Sequence, residues 1–160
     1  MNTFFEVKNV TFSSSKDHRL IDVNFYIEEQ GQILSILGPS GVGKTTILRA
    51  IAGLDPIMKG EIFLNKKIIS SSKIFVEPEK RDIALSFQEN SLFPHLNVLE
   101  NLKIGQLKRT KKKIKLSLDE CIEAFFLESI LKKYPHEISA GEAQRASLIR
   151  SLISKPSLLL

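Results

Sequence analysis

The 160-residue sequence has no tryptophan, one cysteine and no apolar run that approaches the roughly 18 residues of a membrane span. The lone Cys121 excludes an internal disulfide and is typical of a reducing compartment, and its neighbours predict a helix in which it is a buried structural thiol. The N-terminal residues lack the long apolar stretch of a secretory signal. We therefore expect a protein that is soluble, or peripheral to a membrane.

The composition is otherwise ordinary, because 42% hydrophobic and 26% charged residues are the proportions of a globular protein. The length is about that of one domain. The net charge of +5 is mild, so it permits an anionic partner without identifying one. A basic run at residues 103–115 could contact nucleic acid or anionic lipid, although a solvated helix face or loop is favoured.

The most informative stretch, residues 38–46, reads Gly-Pro-Ser-Gly-Val-Gly-Lys-Thr-Thr. It fits the phosphate-binding pattern Gly-x-x-x-x-Gly-Lys-Ser/Thr at every fixed position. The apolar run at 33–37 predicts a buried parallel strand before it, and residues 47–52 predict a helix after it. The predicted nucleotide-binding residues are Gly38, Pro39, Ser40, Gly41, Val42, Gly43, Lys44, Thr45 and Thr46.

The residue types in this loop suit an anion. Glycines allow backbone conformations that turn successive N–H groups inward, and the helix start adds unpaired donors with a partial positive charge. Lys44 would reach the β- and γ-phosphates of a nucleotide, and the Thr45 hydroxyl would bind Mg²⁺. The alternative is a glycine-rich turn with an exposed lysine.

Around this loop the sequence predicts an α/β core with an added antiparallel layer. Residues 4–12 and 20–27 predict two antiparallel strands, and residues 60–65 and 67–69 predict a hairpin. Residues 83–87 predict another short strand, which ends on Gln88.

The C-terminal half predicts helices, which begin at three pairs with capping-box spacing: Asn97 with Glu100, Ser117 with Glu120, and Ser139 with Glu142. In the last of these helices, Ala146, Ile149 and Ile153 mark the predicted buried stripe. Lys155 and Pro156 end it, and a further apolar strand begins near Leu158.

With the phosphate loop, Gln88 and residues 138–145 together, the chain resembles the ABC-transporter ATPase family, and residues 86–101 resemble its importer ATPases. The resemblance implies a P-loop NTPase (RecA-like) α/β core with an antiparallel β subdomain and a helical signature subdomain, C-terminally incomplete. The expected division is a β layer plus phosphate-loop core at 1–88, the helical subdomain at 89–150, and the start of a further core strand at 151–160.

The resemblance also implies ATP and Mg²⁺ as cofactors and a catalytic Gln88 that contacts Mg²⁺ or the attacking water. It implies a head-to-tail dimer in which the signature residues of one subunit face the γ-phosphate bound by the other. Those signature residues are Ser139, Ala140, Gly141, Glu142 and Gln144. The simpler alternatives are a strand-end glutamine for Gln88 and a helix cap for Ser139.

In such a family the partners would be membrane permease subunits and, indirectly, a solute-binding protein, with the ATPase peripheral on the cytoplasmic face of the inner or plasma membrane. A nucleic-acid partner is not expected. Residues 75–81 are similar to ferric-iron importer ATPases, but the transported substrate cannot be read from the sequence. The alternatives are a soluble ABC protein of DNA repair or translation, a P-loop kinase or GTPase, and a nucleotide-binding remnant without turnover.

The chain departs from the family pattern at several positions. Ala140 stands where the signature has glycine, which places a methyl group where a phosphate approaches closely. Ser14 stands where the family has an aromatic residue that stacks on adenine, and Phe12, on the same strand face, is the expected substitute. The sequence ends at Leu160, before the family's acidic pair, so we expect negligible ATPase activity from these 160 residues alone.

Overall fold

The computed structural model describes residues 3–15, 18–86, 92–106 and 117–160. The chain divides into two compact units, Met1–Asp82 and Ile83–Leu160. The boundary predicted after residue 88 stays a prediction, because that residue lies outside the described part. Most of the basic run also lies outside it.

The first unit is built on a four-stranded antiparallel sheet in the order β2-β1-β3-β4. Its strands are β1 (Phe5–Ser15), β2 (His18–Ile27), β3 (Lys59–Leu64) and β4 (Lys67–Ser71). Both predicted strand pairs are confirmed, since β1 pairs with β2 and β3 with β4. Alternating apolar side chains bury one face of β1, which gives this unit its core.

Helix α1 (Lys44–Ala52) packs against β1 with the buried side chains of Ile47, Ala50 and Ile51. It stops at Gly53, whose φ of 87° is left-handed and whose N–H is bonded to the carbonyl oxygens of Ala50 and Arg49. Glycine adopts this conformation without strain, so it ends helices in this way. The helix predicted after the phosphate loop is therefore confirmed.

The prediction of a buried strand at residues 33–37 is wrong. These residues form no strand, and Ile33 and Leu37 are 94% and 90% exposed. A strand needs a neighbour to take its backbone hydrogen bonds, and none of the described strands pairs with this segment. An apolar run indicates a preference for burial, but it does not supply the partner.

The second unit contains helices α2 (Val98–Gln106), α3 (Leu118–Ala124) and α4 (Ala140–Ile153). Strand β5 (Ile83–Ala84) pairs in parallel with β6 (Leu158–Leu159), so part of each strand predicted there is present. Single 3-10 turns span Pro78–Lys80 in the first unit, and Glu128–Ile130 and Pro135–Glu137 in the second.

The three helices of the second unit enclose one apolar core. The predicted stripe of α4 is confirmed, because Ala146, Ile149 and Ile153 are all buried. Cys121 is buried as predicted, and desolvation raises the pKa of its thiol, with a smaller contribution from Glu120. Helices α2 and α4 approach so closely that a Cβ on Gly105 would overlap a backbone carbonyl of α4.

Three helix starts carry the reciprocal hydrogen bonds that their spacing predicted. The Asn97 N–H donates to the Glu100 carboxylate, and the Glu100 N–H donates to the Asn97 side-chain oxygen, both at 2.9 Å. Complete capping boxes also open α3 and α4. Each box satisfies N–H donors that the helix itself leaves unpaired, so these starts depend on residues three positions apart.

Phe126, just after α3, has a left-handed φ of 55° and is 78% exposed. A left-handed residue with a Cβ costs roughly 1–2 kcal/mol, and the exposed ring loses little burial when removed. We expect Phe126→Gly to raise the free energy of unfolding in urea by about 0.5–1 kcal/mol, after allowing for the entropy of glycine. Phe126→Ala keeps the strain, so an equal gain from alanine would contradict this explanation.

Candidate nucleotide-binding site

The phosphate-loop residues form an exposed turn that leads directly into α1. Residues 38–42 are exposed, and the helix begins at Lys44. Gly41 and Gly43 have left-handed φ angles of 81° and 102°, so both glycines adopt conformations that side chains disfavour. A Cβ on Gly38 would lie 3.1 Å from the Val42 side chain, so the turn is also tight at its start.

The N-terminus of α1 presents free backbone donors. Gly43, the N-cap residue, has no side chain, and the first turn carries no acidic residue. The first intrahelical bond runs from the N–H of Ile47 to the carbonyl oxygen of Gly43, at 3.0 Å. The N–H groups of the first turn therefore lack intrahelical acceptors and, with the helix dipole, form a local positive potential suited to an anion.

The Lys44 side chain folds back over this turn. Its Nζ donates hydrogen bonds of 2.7 Å to the carbonyl oxygens of Gly38 and Pro39. These bonds hold a cation beside the backbone donors of the helix start. The next residue, Thr45, is exposed on the first turn of α1.

Strand β2 contributes a residue that sequence reasoning missed. A Cβ on Gly43 would lie only 2.7 Å from Cδ1 of Leu20, so this leucine packs against the base of the phosphate loop. The contact joins residues more than twenty positions apart, and no local pattern signals it. Leu20 places apolar surface beside the loop.

The expectation that Phe12 stacks on adenine is not supported. The ring is 0% exposed in the core of the first unit, so it presents no face to a base. The alternation that placed Phe12 on one face of β1 was read correctly, but that face is the one the sheet buries. The Ser14 side chain lies outside the described residues.

The predicted signature residues gather at the N-terminus of α4. Ser139 is the N-cap: its hydroxyl accepts a bond from the Glu142 N–H at 3.3 Å and donates one to the Glu142 carboxylate at 2.7 Å. The Ser139 N–H also donates to that carboxylate at 2.8 Å. The remaining positions, Ala140, Gly141 and Gln144, are exposed.

These contacts determine the charge at the start of α4. The hydroxyl and then the backbone N–H of Ser139 lower the pKa of Glu142, and Lys133 and Arg145 act in the same direction. The carboxylate is therefore ionised at neutral pH and lies on the donors of this helix start. The bond from the Glu142 N–H to the Ser139 hydroxyl shows the capping role of Ser139, whereas its role in binding a phosphate stays a prediction.

Ser139→Ala should lower the free energy of unfolding by about 1 kcal/mol, because the α4 N-cap loses its side-chain acceptor. Urea denaturation of the variant beside wild type measures this loss. Ser72→Ala changes an exposed serine after β4 and should stay within about 0.5 kcal/mol. A Ser139→Ala protein as stable as wild type would mean that the capping box contributes nothing here.

Gln88 lies outside the described residues, so its predicted role stays a prediction. The segment that follows is held by Asn101, which is fully buried in α2. The Asn101 amide nitrogen donates to the carbonyl oxygens of Phe93, Leu96 and Asn97, at 3.1, 3.0 and 3.0 Å. Its oxygen accepts the Phe93 N–H at 2.7 Å. Sequence reasoning missed Asn101, because its acceptors are identified only by the folded loop.

The Arg150 guanidinium of α4 lies 5.2 Å from the centre of the Phe93 ring and donates to Asn101 Oδ1 at 3.3 Å. The loop at 92–97 is therefore tied to both α2 and α4. Phe93 remains 42% exposed, so the loop carries accessible apolar surface on a fixed backbone.

Known proteins resemble this chain in sequence and in fold. The glucose import ATP-binding protein GlcV of Saccharolobus solfataricus is 40% identical over 159 residues, which cover 96% of this chain and 45% of that protein. An Fe(3+) ions import ATP-binding protein of Pectobacterium atrosepticum is 38% identical over 160 residues, covering 99% of this chain and 44% of that protein. The chain thus spans less than half the length of these curated relatives.

Among solved structures, the dimeric ATP-binding cassette MJ0796 bound to ADP and Pi is similar with a TM-score of 0.76 at 26% identity. The match covers 97% of this chain and 72% of that one. CbiO1 of Clostridium perfringens, part of the complex cbiONQ, has a TM-score of 0.73 at 25% identity, covering 99% and 64%. A sequence model described as ABC transporter matches residues 20–160. By these matches, and with the phosphate loop in place, the chain belongs to the ABC transporter family.

Proposed function

We propose that this chain is the ATP-binding part of an importer ATPase subunit, which couples ATP binding and hydrolysis to substrate uptake through a membrane permease. The observation that carries the proposal is the uncapped start of α1 behind two left-handed glycines, with the Lys44 ammonium held beside it. The relatives described as import ATP-binding proteins support the transport part.

The described residues fit a nucleotide with its magnesium ion. Backbone N–H groups at the start of α1 would donate to phosphate oxygens, and Lys44 would place its positive charge beside the β- and γ-phosphates. The Thr45 hydroxyl would hold Mg²⁺, which would neutralise charge on these phosphates. The apolar surface of Leu20 beside Gly43 borders the nucleotide.

The proposed working form contains a second ATPase subunit in head-to-tail orientation. Ser139 and Gly141 at the start of α4 face the γ-phosphate held by the other subunit, and Gln88 contacts Mg²⁺ or the attacking water. Ala140 and Glu142 depart from the family pattern here. The carboxylate of Glu142 must move off the Ser139 donors before these can bind a phosphate, because both groups carry negative charge.

The proposed location is the cytoplasmic face of the membrane, where the subunit is peripheral and bound to permease subunits. Within the described ranges, no helix is long and apolar enough to cross a bilayer. The division into a core at 1–88, a helical subdomain at 89–150 and a further core strand from 151 belongs to the same proposal.

Calorimetric titration of the chain with Mg·ATP tests the nucleotide part, and saturable binding at one site per chain is expected. Co-expression with a candidate permease tests the transport part, and the chain should then co-purify with the permease in detergent. Absence of Mg·ATP binding by the folded chain would overturn the nucleotide assignment. Tight, strongly salt-dependent binding to nucleic acid would instead favour a non-transport ABC protein.

A further inference from the structure

Arg81 is the largest of the fully buried side chains, at 1% exposure, although it carries a positive charge. Its guanidinium lies between the end of α1, strand β4 and the segment after β4. The acceptors are the carbonyl oxygens of Ala50, Ile51, Ile69 and Val76 and the hydroxyl of Ser70, at 2.7–3.0 Å. One buried side chain therefore joins three separate parts of the first unit.

The guanidinium remains charged in this position. Desolvation lowers the pKa of Arg81 to about 10, with Glu77 acting in the opposite direction, so the group stays protonated at neutral pH. Two of its acceptors, the carbonyl oxygens of Ala50 and Ile51, belong to the last turn of α1. Carbonyls at a helix C-terminus lack the regular i+4 N–H donors of the helix interior and carry partial negative charge, which matches the cation.

Gly53 makes room for this arrangement. A Cβ at Gly53 would lie 2.6 Å from Arg81 Nε and 2.8 Å from its Cζ. The ring of Phe75 covers the guanidinium from another side, with its centre 5.2 Å from Cζ. The position of the guanidinium is thus fixed by hydrogen bonds, by the helix end and by an aromatic face.

Helix α1 has nine residues, so its two ends are only about 13 Å apart. Its N-terminus forms the phosphate loop, and its C-terminus is bonded to Arg81. A rotation of this short helix about its C-terminal end would redirect the N–H groups of its first turn, and binding through converging donors is sensitive to such small shifts.

We infer that Arg81 is a positioning residue for the phosphate loop: by bonding the C-terminus of α1 to β4 and to Val76, it fixes the direction in which the α1 N-terminus presents its donors. This inference rests on the proposed nucleotide function. It goes further because it assigns part of the affinity for phosphate to a buried residue that touches no ligand.

The test measures the Kd of Mg·ATP by calorimetry for wild type and for Arg81→Lys, which keeps the charge but loses the planar fork. Titrations are made well below the melting temperature of each protein, with the folded fraction measured by circular dichroism. We expect Kd to rise about tenfold in the folded Arg81→Lys protein, and the Kd of Mg·pyrophosphate to rise by a similar factor, because the loop binds the phosphates.

Arg49→Gln is the matched control. Arg49 lies on the same helix but forms a half-exposed ion pair with Asp55, at 2.7 Å, so its loss should leave both dissociation constants within about twofold of wild type. Ser70→Ala removes one acceptor of Arg81 and is the milder variant should Arg81→Lys not fold. It should raise both dissociation constants by about threefold.

The outcomes separate the two proposals. Wild type that fails to bind Mg·ATP would overturn the proposed function. Wild type that binds, with folded Arg81→Lys and Ser70→Ala proteins that bind equally well, would overturn the positioning role alone. Lower melting temperatures with unchanged dissociation constants would show that Arg81 only stabilises the fold.

Discussion

Lys44→Ala should abolish measurable Mg·ATP binding to this chain. The substitution removes the only side-chain cation that the described phosphate loop holds beside its backbone donors. Hydrogen bonds to charged groups contribute about 1.5–3 kcal/mol each, so loss of the proposed bonds from the Lys44 ammonium to the β- and γ-phosphates corresponds to a rise in Kd of about a hundredfold or more. Calorimetry, or displacement of a fluorescent nucleotide analogue, measures this rise.

Lys73→Ala is the matched control, because it removes the same charge from an exposed position in the same unit. It should bind Mg·ATP as wild type does. Circular dichroism should show that Lys44→Ala remains folded, since Lys44 is not among the buried residues and its side-chain bonds lie within the loop. A folded Lys44→Ala protein with wild-type affinity would refute the assignment of residues 38–46.

Gly60→Ala should destabilise the fold by about 3 kcal/mol or more. Gly60, in β3, has a left-handed φ of 91°, and a Cβ there would lie 2.6 Å from both the Lys8 carbonyl oxygen and the Asn9 carbonyl carbon, with the Asn9 oxygen closer still. Outside their own residue and its two chain neighbours, real Cβ atoms essentially never come within 3.0 Å of a heavy atom. The obstructing atoms are backbone, so β1 and β3 must separate to accept the methyl group.

Gly31→Ala separates the two causes of this loss. Gly31 has nearly the same φ, 94°, but a Cβ there would meet nothing within 4 Å. It therefore carries the backbone strain alone and should cost about 1–2 kcal/mol. Urea denaturation of both variants gives the difference, which measures the steric overlap. Equal losses of unfolding free energy in the two variants would mean that β1 accommodates the Gly60→Ala methyl group without a free-energy cost.

Arg81 shows a limit of prediction from sequence. Within its polar segment nothing distinguishes this arginine from other surface cations, yet it is buried between α1 and β4. Four of its acceptors are backbone carbonyl oxygens, which every residue carries, so no residue type in the sequence marks them. Only the packing of three chain segments decides which carbonyls meet the guanidinium.

Phe12 and residues 33–37 show the same limit from the opposite side. Residues 33–37 were expected to form a buried strand, yet Ile33 is almost fully exposed. Phe12 lies on the buried face of β1 as its alternation predicts, which leaves no ring face for the adenine stacking expected of it. A hydrophobic side chain favours burial, but it is buried only where residues from elsewhere in the chain pack over it. Leu20 beside Gly43 is the converse case, in which distant residues meet without a local pattern.

Sequence patterns alone correctly predicted the helix that begins at Lys44, the two antiparallel strand pairs and three helix starts. These features depend on residues a few positions apart, whose backbone preferences and capping bonds act locally. That Leu20 borders the phosphate loop, and that Arg81 bonds the C-terminus of α1, follows only from the folded structure. Those contacts join residues some twenty to thirty positions apart, and only the folded chain brings them within bonding distance.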